Sequence, residues 1–167
     1  MSVDEQCLQL ARDALYARRV FSVGSVALVS FNDASAELGE IGVEALPAIE
    51  FVIKNEICDE HAESELALRR EYRGLRSVLV TYFRIVATQD RLAQRAVSFV
   101  EGLSGLIRYE ALQAIWVQWL VNDESMPIPK ALSHFVHKLR QSGSEQEQKW
   151  AMRFLKKYSG LHDESKG

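Results

Sequence analysis

The stretch that decides the fold runs from Asn32 to Lys54 and reads NDASAELGEIGVEALPAIEFVIK. Ala34, Leu38 and Ile41 fall at the spacing of one helix face, and Ala45, Leu46, Ile49, Val52 and Ile53 resume it beyond Gly42. Gly39 and Gly42 suit a helix end and a tight turn, while Pro47 suits the first turn of the helix that follows. The pattern predicts an antiparallel helix pair with a short corner. Ala34, Leu38, Ile41, Leu46, Ile49 and Ile53 are expected to be buried between the paired helices.

Outward from this pair, the helical period persists. Residues 4–19 carry Leu8, Ala11 and Leu15 on one face, closed by Arg18 and Arg19 at a C-terminus that favours cations. Val20 to Phe31 is rich in β-branched residues, yet Val23, Ala27 and Ser30 lead into Ala34 at helical spacing. A lone strand would have nothing to pair with, so a helix from about Val23 to Ile41 is expected, with Phe31–Asp33 as a site for a kink. Asp59 offers an N-cap to a long helix bearing Leu68, Tyr72, Leu75, Leu79, Tyr82 and Val86. Gly74, inside that helix, costs roughly 1 kcal/mol relative to Ala and marks a place for a bend.

Asp90 reads as the cap of the next helix, which ends near Gly102, and Leu106 to Val121 forms another. Pro129 opens a helix to about Gln141. Ser144 and Glu147 form an S-x-x-E capping box before a last helix ending at Tyr158. The expected fold class is all-α, about eight helices in a single domain over residues 1–160, with a disordered tail at 161–167.

The segment AELGEIGVEALPAI resembles the HEAT-like repeat first noted in phycobilisome lyase subunits. The resemblance covers about residues 32–54. It implies an α-α superhelix of antiparallel helix pairs, an architecture generally used for binding. The later helices lack this wording and the Asp and Arg ladder of HEAT repeats, which leaves a compact helical bundle as the alternative.

Of the 167 residues, 47% are hydrophobic and 26% charged, ordinary proportions for a globular chain. The first ten residues show no basic segment followed by an apolar core, so no signal peptide is expected. No apolar run reaches bilayer length. Two distant cysteines, Cys7 and Cys58, fit a reduced, cytoplasmic protein. The net charge of −3 conceals a division: residues 1–65 hold 13 acids and 4 bases, residues 66–158 hold 8 acids and 15 bases. The second half therefore presents a positive field.

Within that half, Arg69, Arg73 and Arg76 follow i, i+4, i+7 and share a helix face within about 60°, with Arg70 and Arg84 at its margin. Guanidinium groups so spaced can grip carboxylates or phosphates, although Glu65 and Glu71 stand near enough for intrahelical pairing. Trp116 and Trp119 fall beside Leu112 and Ile115, where two indoles could stack on a flat group or simply pack in the core. Trp150 is a further aromatic candidate. His134 and His137 have i,i+3 spacing, but Lys130 and Lys138 lie on the same side and no carboxylate joins them, so no metal is expected.

No nucleophile elbow, Walker loop or H-E-x-x-H motif is present, and no cofactor is implied. The leading expectation is thus a non-enzymatic protein-binding scaffold or adaptor with a protein partner. The alternative is a nucleic-acid-binding or DNA-repair protein using the basic half. At the level of fold this is similar to the HEAT-like alkylpurine glycosylases, whose motif residues find no match here. A tetrapyrrole-related lyase or chaperone subunit follows only from the repeat's family.

Overall fold

A computed structural model describes residues 4–16, 25–57, 64–122, 124 and 126–162. Every regular element among them is helical: α1 (Glu5–Tyr16), α2 (Ser25–Ile41), α3 (Leu46–Glu56), α4 (Glu65–Glu71), α5 (Leu75–Val86), α6 (Ala93–Glu101), α7 (Gly105–Trp116), α8 (Lys130–Ser142) and α9 (Glu145–His162). Short 3-10 turns at Gly42–Ala45 and Asp90–Leu92 lead into α3 and α6, and a wider π-helical turn, Val117–Asn122, prolongs α7. No described helix is long and apolar enough to cross a membrane.

The corner after α2 forms where its residues require it. Gly42 takes φ +80°, a left-handed conformation that glycine adopts without steric cost, and Pro47 stands in the first turn of α3. Ala34, Leu38, Leu46, Ile49 and Ile53 are buried as expected, and Ile41 is half-buried against the same core. The two helices do not pack chiefly on each other, however. Both lie against α1 and α5. The expected pair is opened by α1, whose apolar face (Leu8, Leu10, Ala11, Ala14, Leu15) enters between them.

The long helix expected through Gly74 breaks into α4 and α5. Tyr72 leaves helical geometry at φ −118°, ψ 71°, and Gly74 N–H donates to the Leu15 carbonyl at 2.9 Å. A Cβ at Gly74 would fall 1.5 Å from the Ala14 carbonyl oxygen. The chain therefore breaks because α5 starts hard against the end of α1, and only glycine permits the approach.

Beyond this break the helices alternate between two rows. α2, α5 and α7 pack side by side, and α6 packs on α8. α3 extends the second row through Glu50–Arg95 at 2.7 Å and through Lys54 over the Phe99 ring. Between the rows, Tyr82 of α5 meets Phe99 of α6 with centroids 4.7 Å apart; within the first row, Phe83 of α5 meets Trp119 of the π turn at 6.2 Å. α9 closes the far end, packing on α8 and the π turn. Its start is the reciprocal box read from sequence: Glu147 N–H donates to Ser144 Oγ at 3.2 Å, and Ser144 N–H to Glu147 Oε1 at 2.9 Å.

Other boundaries shift. Ser64, not Asp59, caps α4, accepting from Ala67 N–H at 3.1 Å, and Asp59 lies outside the described residues, as do Val23 and Cys58. Asp90 opens a 3-10 turn and makes no capping bond. α9 continues to His162, beyond Tyr158, because Leu161 still rests on the core.

Candidate functional site

The helix break redistributes the arginines. Arg69 belongs to α4, with its side chain outside what is described, Arg73 sits in the turn, and Arg76 and Arg84 belong to α5. The uninterrupted stripe expected from the sequence is therefore not formed. Instead Arg73, Arg76 and Arg84 gather along a groove of about 390 Å³ between α2 and α5. Its floor carries Ser35, Ser77 and Thr81, with Ser77 Oγ donating to Ser35 Oγ at 2.9 Å.

The arginines are not equivalent. Arg76 donates through Nε to Glu110 Oε2 at 2.8 Å, and Glu110 is only 2% exposed. This pair joins α5 to α7 and fixes the guanidinium at the groove wall. Arg73 and Arg84 are exposed and make no hydrogen bond or ion pair among the described residues. One immobilised cation thus stands with two free ones around a hydroxyl-lined trough. Such a set suits carboxylates or phosphates, which take two parallel donors from each guanidinium.

The tryptophans separate for a similar reason. The π turn begins immediately after Trp116 and rotates the chain, so Trp119 is fully buried against Phe83 while Trp116 stays half-buried. Trp116 faces α9, meeting Phe154 edge-on at 6.1 Å. Of the two readings of WVQW, packing in the core holds for Trp119, while Trp116 lines a recess with Trp150, 34 residues further along the chain.

Elsewhere charge is consumed internally. Glu50 accepts from Tyr82 Oη at 2.6 Å and from both Nε and Nη2 of Arg95, at 2.9 and 2.7 Å. Burial first, then the adjoining Glu50 carboxylate, raises the Tyr82 phenol pKa well above its ordinary value. Arg12–Glu56 and Arg108–Glu147, both at 2.7 Å, tie α1 to α3 and α7 to α9. Burial and then Asp4 raise the pKa of the Cys7 thiol, the reverse of what activates a nucleophilic cysteine. His134 and His137 are exposed on α8, and no three His, Cys, Asp or Glu side chains converge among the described residues. No protein-family model, curated protein or solved structure shows significant similarity to this chain.

Proposed function

We propose that the chain is a non-enzymatic, HEAT-like scaffold or adaptor that binds an acidic segment of a partner protein in the α2–α5 groove. Two features support the superhelical part of this reading. Helices two apart in sequence stack in a row (α5 on α7, α6 on α8), and α1 and α9 close the two ends. The observation that carries the binding site is the unequal state of its arginines. Arg76 is already anchored by buried Glu110, whereas Arg73 and Arg84 extend from the groove uncompensated.

A protein partner is favoured over nucleic acid by the groove's size. Three cations along one groove offer few phosphate contacts, and the acidic half of the chain would repel a long duplex. The test is photo-crosslinking from p-benzoylphenylalanine placed at the half-buried groove residue Val80, in nuclease-treated extract of the native source. A discrete protein adduct that disappears in Arg73→Ala/Arg84→Ala is expected. Adducts that are lost on nuclease treatment, or that survive the double substitution, would overturn the assignment. For duplex DNA, log affinity would fall with log salt at about −0.9 per neutralised phosphate, whereas a protein partner should respond more weakly and mainly in its association rate.

A further inference from the structure

A second recess, of about 340 Å³, opens between α7 and α9 and is built from helices other than those of the basic groove. Its aromatic walls are Tyr109, Trp116 and Trp150; amides come from Gln113 and Gln146, and cations from Lys149 and Arg153. We infer that this recess is a binding site for a small planar aromatic anion, a ring carrying one carboxylate or phosphate.

The rings are held in place before any ligand arrives. Trp150, Phe154 and Tyr158 stack along α9, with centroids 5.2 and 6.1 Å apart and interplanar angles of 28° and 8°. Trp116 abuts Phe154 edge-on, and Lys157 lies over the Trp116 ring at 5.4 Å. Lys157 does not line the recess, so the recess meets a different part of that indole. Half-buried Trp116 and Tyr109 give a flat ring aromatic surface at little entropic cost, backed by the buried indole of Trp150.

The polar groups have capacity left over. Gln113 Nε2 donates to Tyr109 Oη at 2.6 Å, which leaves the phenol proton to donate elsewhere. Arg153 is exposed and makes no ion pair among the described residues. Among the described residues Lys149 meets only Glu145, one turn earlier at 3.3 Å, with both side chains mostly in solvent, a pairing that an anion can displace. Trp150 Nε1 has no hydrogen-bond partner among the described residues, but it is buried behind the recess and offers its ligand no accessible donor. Donors and cations outnumber acceptors, which selects an anionic ligand over a cationic one. The volume lies at the small end of ligand sites and admits one or two fused rings with a headgroup.

The three tryptophans provide the readout, since each contributes one indole N–H signal in a 15N-correlated NMR spectrum. Assignment uses Trp116→Phe and Trp150→Phe. Indole-3-acetate is titrated against its neutral counterpart indole-3-acetamide, and adenosine monophosphate against adenosine. With at least one of the two anions, the Trp116 and Trp150 signals should shift saturably while that of buried Trp119 stays in place. The neutral counterpart should bind roughly tenfold more weakly, and Arg153→Gln should impose a similar loss on the anion alone. The tighter anion identifies the headgroup. The inference is overturned if neither anion saturates, if acid and amide bind equally, or if all three indoles move together. Arg153 is on the surface, so its replacement leaves folding intact and the comparison valid.

Discussion

Helix α5 carries two charged clusters on opposite sides, and they have different fates. Toward α3 and α6, Glu50 is saturated by Tyr82 and Arg95, and the phenol that binds it is fully buried. Toward α2, Arg73 and Arg84 border a groove floored by hydroxyls and meet no acid among the described residues. Both clusters contain arginines, and composition alone cannot tell them apart. What separates them is saturation. A charged group whose every lone pair or proton is answered by its neighbours serves the fold. A group left open on a rigid helix is available to something else.

The contrast depends on where α5 begins, so the largest expected effect is at Gly74. In an ordinary helix interior, Gly→Ala would gain roughly 1 kcal/mol. Here the new methyl would meet the Ala14 carbonyl at 1.5 Å, backbone that cannot move without displacing α1. Gly74→Ala should therefore destabilise by about 3–5 kcal/mol, read as a lowered denaturant midpoint. A stabilised variant would mean that α4 and α5 form one continuous helix. The arginines would then share the single stripe, and the groove as described would not exist.

Gly74 also shows where sequence reading stops. Local devices were legible: Gly42 and Pro47 at the corner, the Ser144–Glu147 box, and the buried period of Leu38, Leu46 and Ile49. Each is decided by residues within one or two turns. The break at Tyr72–Gly74 is decided by Ala14 and Leu15, some sixty residues away, while the apolar period runs through it undisturbed. The sequence thus shows the members of the basic face but not its shape. It marks Trp150 but not its neighbour in the recess, because the π turn that parts Trp116 from Trp119 leaves no mark on the period. The sequence did allow for a bend at Gly74, and the spacing of Arg84 eight residues after Arg76 keeps both on one side of α5.

A smaller effect belongs to the saturated cluster. Tyr82→Phe removes one hydrogen bond to a carboxylate that keeps its arginine, and should cost about 1.5 kcal/mol at neutral pH. Its pH dependence is the sharper measurement. The folded phenol titrates above the unfolded one, whose ordinary value is near 10. Above that pH the unfolded chain releases a proton that the fold retains, so stability falls as pH rises. The loss from this group approaches about 1.4 kcal/mol per pH unit and should be absent from Tyr82→Phe. Urea midpoints between pH 8 and 11 test this. Parallel curves for the two proteins would show that Tyr82 is not held protonated by its surroundings.

The smallest effect on stability should come from the open cluster. Arg73→Ala and Arg84→Ala remove exposed side chains that have no partner among the described residues, and each should change stability by no more than about 0.5 kcal/mol. Arg76→Ala is the internal control on the same helix. It leaves Glu110 buried with its carboxylate deprived of the guanidinium, and should cost about 1–3 kcal/mol. Glu110→Gln with Arg76 retained frees that guanidinium and removes the buried charge together, so it should cost less than Arg76→Ala. These values place Arg76 with the fold and its two neighbours with binding. If Arg73→Ala or Arg84→Ala instead destabilises as much as Arg76→Ala, both arginines are structural and the two sides of α5 no longer differ. If both are neutral to stability yet abolish the crosslinked adduct, the open charges are the ones that meet the partner.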